Sequence, residues 1–237
     1  MSESITIALS KGTLLTPTLD VFRRAGYKGH DRRIDDRRLV WDCPEDGHTL
    51  LIVRPTDVPT YVEYGAADVG IVGKDVLLEQ KPDVYEPLDL QMGTCKLVVA
   101  EPKGKMSSNR LSAKLRVATK YPNITEKHFN QLGIPVEIIK LYGSIELAPL
   151  VGLTERIVDL VSTGRTLKAH NLVEREVIAW SSARVIVNRA SLKIKHAIIT
   201  DLIERLKKAV RDDSRAEAAC GSEQTRANAS GRYVKRS

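Results

Sequence analysis

The chain has few of the residues that would tie it to disulfide bonds, a metal or a membrane. Its three cysteines, Cys43, Cys95 and Cys220, lie far apart and form no CxxC pair, which argues against a disulfide framework and against a zinc site. Apolar runs are only a few residues long, far below the roughly 20 residues that span a bilayer. The start, MSESITIAL, lacks the basic region and long apolar stretch of a secretory signal. These absences predict a cytoplasmic protein with free thiols and no membrane span.

Aromatic residues are also scarce, at 5% of the 237 residues, whereas 42% of the residues are hydrophobic and 28% are charged. This balance allows a buried core and speaks against disorder. The net charge of +7 favours anionic partners, either nucleic acid or phosphorylated metabolites. Because no aromatic stacking platform accompanies the basic residues, we do not expect nucleic-acid binding. The five histidines show no metal-ligand spacing, so no protein metal cage is expected.

Short apolar strands alternate with helical segments along most of the chain. Residues 5–9 (ITIAL) predict a buried strand, followed by a helix that Gly26 ends. Repeated βα units with short turns predict an α/β fold with open, largely parallel sheets. Residues 102–113 are polar and predict a mobile loop. After an amphipathic helix over residues 191–211, the polar residues 212–237 predict a disordered tail.

The segment Asp159–Leu167 (DLVSTGRTL) is the most informative motif. A strand here leads into a small turn around Gly164, and the backbone amides of such a turn can bind an anion where a helix begins. Serine and threonine hydroxyls add donors, and Asp159 is placed to accept hydrogen bonds from ribose. An ordinary strand-to-helix turn with Ser and Thr caps has the same pattern, so the motif alone leaves both interpretations open.

Six further segments give this loop its context. In chain order they are IALSKG (7–12), TDVPTYVE (56–63), GAAD (65–68), GKD (73–75), ATKY (118–121) and LYGSIELAPL (141–150). The loop resembles the phosphoribosyl diphosphate loop of phosphoribosyltransferases, and the six segments narrow the likeness to the ATP phosphoribosyltransferase family. Together they span about residues 5–195, and the chain is identified as a member of that family.

The resemblance implies the architecture and the partners. It implies two α/β lobes of the periplasmic-binding-protein kind (type II), with the active site in the cleft between them. Lobe I would comprise residues 1–93 and 182–211, and lobe II residues 94–181. At 237 residues the chain is similar to the family's short form, which lacks a C-terminal regulatory domain. That form implies a homodimer of this chain in a hetero-octamer with a regulatory subunit resembling histidyl-tRNA synthetase.

The resemblance also implies the reaction and its residues. The reaction would transfer the phosphoribosyl group of phosphoribosyl diphosphate to N1 of ATP with loss of pyrophosphate, the first step of histidine biosynthesis, with Mg²⁺ held mainly by substrate phosphates. The implied catalytic cations are Lys11, Arg37, Arg38 and Arg54. The implied phosphoribosyl diphosphate site is Asp159, Ser162, Thr163, Gly164, Arg165, Thr166 and Leu167. The implied ATP site is Lys11, Gly73, Lys74, Asp75, Gly143, Ser144 and Glu146.

Alternatives remain open at this point. Thr13 stands where the family commonly has Arg, and Pro55 replaces a small residue. His170-Asn171 differs from the residues that usually follow the loop. These departures leave open which residues bind the substrates. Each candidate also has a structural alternative, such as a solvated surface lysine, a surface ion pair or a helix cap. A two-lobed solute-binding or effector-sensing protein is the competing class, although such a protein has no need for the Asp159 loop.

Overall fold

The computed structural model describes residues 4–29, 38–104 and 114–230, with side chains described as far as Asp213. Of the predicted 102–113 loop, residues 105–113 lie outside these ranges. The described elements follow in the order β1 (Ile5–Ser10), α1 (Leu15–Arg24), β2 (Val40–Cys43), β3 (His48–Val53), α2 (Val58–Glu63), β4 (Val69–Gly73), α3 (Lys74–Gln80), β5 (Tyr85–Asp89), β6 (Cys95–Pro102), β7 (Leu115–Thr119), α4 (Pro122–Gln131), β8 (Val136–Lys140), α5 (Leu147–Leu150), β9 (Arg156–Val161), α6 (Arg165–Ala169), β10 (Leu172–Ser181), β11 (Ala183–Val187), α7 (Arg189–Ile194) and α8 (His196–Ser230).

The first sheet has six strands in the order β2-β3-β1-β4-β11-β5. β1 pairs in parallel with β3 and β4, whereas β2, β11 and β5 are antiparallel to their neighbours. All five residues of β4 (VGIVG) are buried, because helices cover both faces of the sheet. Successive side chains of β1 point to opposite faces of the sheet. Ile7 and Leu9 pack in the cluster with α1 and α8, whereas Ala8 packs in the cluster with α2 and α3.

The second sheet has five strands in the order β10-β6-β9-β7-β8. β7 is parallel to β8 and β9, whereas β6 is antiparallel to β9 and β10. One face packs against α5 and α6, where Ile157 meets Ala148 and Leu167. The other face packs against α4, whose Phe129 is buried among strand residues such as Val117. Each sheet therefore has a core on both of its faces.

The α/β class is confirmed, but the prediction of largely parallel sheets is wrong. Among the strand pairs that the structure describes, four are parallel and five are antiparallel. β10 was also missing from the sequence-based prediction. Its run Glu174-Arg175-Glu176 interrupts the apolar pattern, and its pairing with β6 contains two register shifts, as is common for bulged edge strands.

The chain crosses between the two sheets twice. Strands of the first sheet come from residues 5–89 and 183–187, and strands of the second come from residues 95–181. The strands of each sheet fall within one of the two predicted lobes (1–93 with 182–211, and 94–181). The exact boundaries of the lobes stay a prediction. Helix α3 of the first lobe packs against α4 and β10 of the second, so this helix lies at the joint between the lobes.

The C-terminal segment differs from its prediction. The tail predicted as disordered over 212–237 is helical as far as Ser230, because α8 continues through RAEAACGSEQTRANAS; residues 231–237 lie outside the described ranges. Alanine, Glu, Arg and Gln favour helix, and extending an anchored helix needs no new nucleus. No helix in the described part of the chain is long and apolar enough to cross a membrane.

Candidate active site

The carboxyl ends of three parallel strands bring cations to one edge of the first sheet. β1, β3 and β4 run in the same direction, and they are followed by Lys11, Arg54 and Lys74. Parallel strands end at the same edge, where α/β proteins commonly bind ligands. The Lys11 N–H donates to the Val53 carbonyl at 2.7 Å, which holds the first two strand ends together, and the side chains of Lys11 and Arg54 are exposed.

The second sheet repeats this arrangement. β7, β8 and β9 are parallel to one another. Lys120 follows β7, Lys140 ends β8, and the loop from Ser162 follows β9. Each lobe therefore directs the carboxyl ends of three parallel strands toward a basic edge.

A cavity of about 710 Å³ lies between these two edges. Arg54 and Thr56 line it from the first lobe, and Lys120, Lys140 and Tyr142 line it from the second. The acidic residue of its lining, Glu79, already accepts hydrogen bonds from backbone amides of α4. Three cations facing one carboxylate that is already bonded make this cleft suitable for a polyanion such as a di- or triphosphate.

Asp159 lies on β9, two residues before the end of the strand. Its carboxylate accepts the Leu160 N–H at 2.8 Å. Burial raises its pKa to about 6, the nearby Glu146 carboxylate adds to this rise, and the Leu160 N–H and Lys120 oppose it. The carboxylate therefore lies in a low-dielectric site beside Lys120, and any partner that neutralises it or donates hydrogen bonds to it is favoured.

The loop after β9 forms the turn that its sequence predicts. Gly164 has a φ of +71° and precedes α6, a conformation that glycine adopts readily. Thr163 and Thr166 are exposed, so their hydroxyls are available to a ligand, whereas Leu167 is buried in the core and offers only its amide. Arg165 donates from Nε to the Thr163 hydroxyl at 3.3 Å. Because α6 has only five residues, the loop amides would bind an anion with little help from a helix dipole.

The GKD segment, predicted for ATP, lies at the joint between the lobes. The Asp75 carboxylate is buried and accepts the Tyr121 hydroxyl at 2.9 Å and the Ser181 hydroxyl at 2.8 Å. Lys74 forms an ion pair with Glu86 at 2.6 Å. A Cβ on Gly73 would collide with the Asp75 carboxylate. Gly73, Lys74 and Asp75 therefore each have a structural role, and their role in binding ATP stays a prediction.

The other predicted residues fall in three places. Gly143 and Ser144 are exposed between β8 and α5, where a Cβ on Gly143 would meet open space. Glu146 is half-buried and close enough to Asp159 to act on its charge. The Arg38 guanidinium lies 5.2 Å above the Trp41 ring, near the outer strand β2, and Arg37 lies outside the described residues.

The structure adds residues that the site prediction missed. Lys120 and Lys140 line the cleft beside Arg54, and Tyr142 lies beneath the Lys140 ammonium, 5.5 Å from it. Lys140 ends β8 and Lys120 directly follows β7, just as Arg54 directly follows β3, so all three cations stand where a parallel strand ends. Within the ranges that the structure describes, no group of three or more His, Cys, Asp or Glu side chains is placed to hold a metal ion.

The fold and the cleft define a class: a two-lobed α/β protein with a cavity between its lobes that carries basic residues on both walls. The family model for ATP phosphoribosyltransferase (HisG) matches residues 54–208. An ATP phosphoribosyltransferase of Syntrophotalea carbinolica is 55% identical over 217 residues, covering 90% of this chain and 99% of the relative. A second, from Geobacter sulfurreducens, is 56% identical over 212 residues, covering 89% of this chain and all of the relative. The chain belongs to the ATP phosphoribosyltransferase family: it is a pentosyltransferase, of the type that catalyses the first step of histidine biosynthesis.

Solved structures agree with this assignment. The chain superposes with a TM-score of 0.77 and 33% identity on a chain from the ATP phosphoribosyl transferase (HisG:HisZ) complex of Thermotoga maritima, covering 88% of this chain and 99% of that one. It also matches the periplasmic aliphatic sulphonate binding protein SsuA of Escherichia coli, with a TM-score of 0.59 and 12% identity. The second likeness shows the fold alone, so the predicted type II periplasmic-binding-protein architecture is confirmed.

Proposed function

We propose that this chain transfers the phosphoribosyl group of phosphoribosyl diphosphate to N1 of ATP in the cleft between its two lobes. The observation that carries this proposal is the meeting of two basic strand edges at one cavity lined by Arg54, Lys120 and Lys140. Both substrates are polyanions, and the bond that breaks releases a third, pyrophosphate. A cleft with cations on both walls suits the binding of all three.

The chemistry needs charge stabilisation more than proton transfer. The bond from C1′ to the adenine N1 forms as the bond from C1′ to the pyrophosphate oxygen breaks, and the lone pair on N1 serves as the nucleophile. Because that lone pair is available without deprotonation, no strong general base is required. Negative charge grows on the leaving pyrophosphate in the transition state, where fixed cations such as Arg54 and Lys120 are most effective. We assign the predicted cations Lys11, Arg37 and Arg38 to the same task.

The two substrates would occupy different parts of the cleft. Asp159, just below the exposed loop, would accept hydrogen bonds from the ribose hydroxyls, and the amides from Thr163 to Leu167 would hold the 5′-phosphate. ATP would approach from the segment that carries Gly143, Ser144 and Glu146. The raised pKa of Asp159 supports this arrangement, because donors from ribose would offset the cost of a buried carboxylate.

We assign Mg²⁺ to the substrates and not to a protein cage. The carboxylates of Asp159 and Glu146 lie close enough to interact with each other, and they suit one or two contacts to a hydrated ion. Mg²⁺ typically keeps several waters and binds substrate phosphates. When bound, it would neutralise part of the charge on the pyrophosphate group.

We propose that the chain works with a regulatory partner. The structural relative from Thermotoga maritima forms a HisG:HisZ complex, and this chain covers 99% of that relative. A comparable partner here, resembling histidyl-tRNA synthetase, would give a hetero-octamer built on homodimers of this chain. Cys43 and Cys95, the cysteines with described side chains, are not joined in a disulfide bond, which supports a reducing, cytoplasmic setting.

A turnover assay tests the proposed function. The purified chain is mixed with ATP, phosphoribosyl diphosphate and Mg²⁺, with and without the regulatory subunit, and the absorbance of the product is followed. We expect Arg54→Met to lower turnover on the order of tenfold to a hundredfold, whereas Arg23→Met, on the outer helix α1, leaves it unchanged. Failure of the wild-type chain to consume ATP in both mixtures would refute the proposal.

A further inference from the structure

Glu79, near the C-terminal end of α3, reaches from the first lobe into the second. Its two carboxylate oxygens accept the backbone N–H groups of Asn123 at 2.9 Å and Ile124 at 3.0 Å. These amides belong to the first turn of α4, which has no acceptors for them within its own helix. Negative charge is favoured at this end of a helix, so Glu79 fixes the start of α4 to the first lobe.

The residues around Glu79 on α3 hold other parts of the cleft. The next residue, Gln80, donates from its amide to the Thr56 carbonyl at 2.7 Å. One turn earlier, the Asp75 carboxylate accepts the hydroxyl of Tyr121 at 2.9 Å. Burial, and the nearby Asp75 charge, raise the pKa of Tyr121, which keeps its hydroxyl a donor to Asp75.

These contacts connect the two cations that face each other across the cleft. Arg54 stands two residues before Thr56, and Lys120 stands directly before Tyr121 and three residues before Asn123. Both Arg54 and Lys120 line the cavity, as do Glu79 and Gln80. The distance between the two cations is therefore set through one short helix that is bonded to both of their segments.

We propose that Glu79 is a positioning residue for the transfer reaction, because it holds Lys120 at a fixed separation from Arg54. This inference rests on the proposed function of the cleft. Glu79 itself need not touch a substrate, since both its oxygens are bonded to α4. Its effect comes from preorganisation: cations that are already in place stabilise the transition state without a reorganisation cost, and a misplacement of about 1 Å can cost as much as a hundredfold in rate.

The test compares Glu79→Ala in two backgrounds, the wild-type chain and Lys120→Met. We expect Glu79→Ala to lower kcat on the order of tenfold in the wild-type chain, with a smaller change in KM for either substrate. In the Lys120→Met background the same change should cost less than about twofold, because the residue through which Glu79 acts is absent. Glu79→Gln, which keeps one carbonyl acceptor, should fall between Glu79→Ala and wild type. Glu126→Ala, on the exposed side of α4, is the matched control.

Three outcomes would overturn the inference. Equal fold losses in the two backgrounds would show that Glu79 does not act through Lys120. A lowered unfolding temperature with unchanged kcat per folded molecule would leave Glu79 as a structural cap. If Glu79→Ala does not fold, Glu79→Gln decides by the same comparison. A wild-type chain that is inactive even with its regulatory subunit would refute the proposed function together with this inference, whereas an active wild type with additive variants refutes the inference alone.

Discussion

Asp68 lies buried in the turn before β4 and accepts hydrogen bonds from three residues outside that turn. It accepts the Thr6 N–H at 2.8 Å from β1, the Ser191 hydroxyl at 2.6 Å from α7 and the Lys195 ammonium at 2.8 Å. The turn precedes β4, so this network lies at the edge of the sheet opposite the cleft. A buried carboxylate with this many donors is well satisfied, and losing it leaves several donors without their acceptor.

We expect Asp68→Ala to destabilise the protein by about 3 kcal/mol, since a buried hydrogen-bonded charge pair is broken. Turnover per folded molecule should not change, because Asp68 is remote from the cleft. Urea unfolding and the turnover assay measure the two quantities. Asp42→Ala, at an exposed carboxylate bonded to the Thr49 hydroxyl, should cost less than about 0.5 kcal/mol. A loss below about 1 kcal/mol for Asp68→Ala would contradict the structural role.

Asp68 is expected to stabilise the folded protein, whereas the ionised Asp159 carboxylate is expected to destabilise it. Burial raises its pKa to about 6 from an ordinary value of 3.8, so the folded protein binds this proton more tightly than the unfolded chain does. The favourable contribution is complete below about pH 4 and is lost as the pH rises through about 6. At neutral pH the ionised carboxylate therefore costs on the order of 3 kcal/mol of stability.

Replacing Asp159 by Asn should therefore stabilise the protein at pH 7, by about 3 kcal/mol, with little difference from wild type at pH 4. The same variant should bind phosphoribosyl diphosphate more weakly, because the ribose hydroxyls lose a charged acceptor. Asp159→Ala should weaken that binding further while the protein stays folded. Urea unfolding at both pH values and calorimetry with the donor substrate measure these effects. Donor affinity equal to wild type would remove Asp159 from the site.

Among the elements, α8 has two parts with different roles. Its N-terminal part supplies buried side chains to the first lobe, including Ile199, Leu202 and Leu206, which pack in the same cluster as Phe22 of α1. The last buried side chain in the described part of this helix is Val210. Helical backbone beyond this point, as far as Ser230, extends a helix whose anchoring is already complete.

Two truncations test this division of α8. A chain that ends after Asp213 should keep its stability within about 1 kcal/mol, because every buried residue named above is retained. A chain that ends after Arg205 loses Leu206, Ala209 and Val210 and should lose on the order of 5 kcal/mol, enough to prevent stable folding. Thermal unfolding followed by circular dichroism measures both. A large loss on ending after Asp213 would show that residues 214–237 carry part of the core.

At the scale of the whole molecule, the two lobes are joined by two chain crossings and by the contacts of α3. Side chains of α3 bind both cleft-lining segments, so a change in the angle between the lobes would move the two basic edges relative to each other. A regulatory partner could act on turnover by favouring one such angle. Feedback control requires a second ligand site whose occupation couples to the cleft.

We predict that this chain alone is not inhibited by histidine, and that adding the regulatory subunit both activates it and confers histidine sensitivity. The physical reason is that coupling needs a second site with different affinity in two states, and we assign that site to the partner. Dose-response curves with and without the subunit decide the question. Strong inhibition of the isolated chain by micromolar-scale histidine would place a regulatory site within these residues.

Local sequence determined most of the elements and the family. Residues 5–9 and 69–72 are short apolar segments bounded by turn residues, and each forms a strand because local propensity and burial agree. Residues 136–140 also form a strand, although none of them is buried. The turn around Gly164 follows from the need for a residue that tolerates positive φ. The motifs around these strands identified the family from the residues alone.

Tertiary structure decided what lies beside what. β10 was not predicted because three consecutive charged residues interrupt its apolar pattern. It forms a strand because it pairs with the edge of β6. Lys120 and Lys140 belong to the cleft, and Asp75 to the joint, because the lobes meet at α3. Such relations join residues far apart in the chain, and they depend on how two separately folded sheets pack. The sequence therefore determined which groups stand at the strand ends, and only packing between the lobes decided which of them face each other.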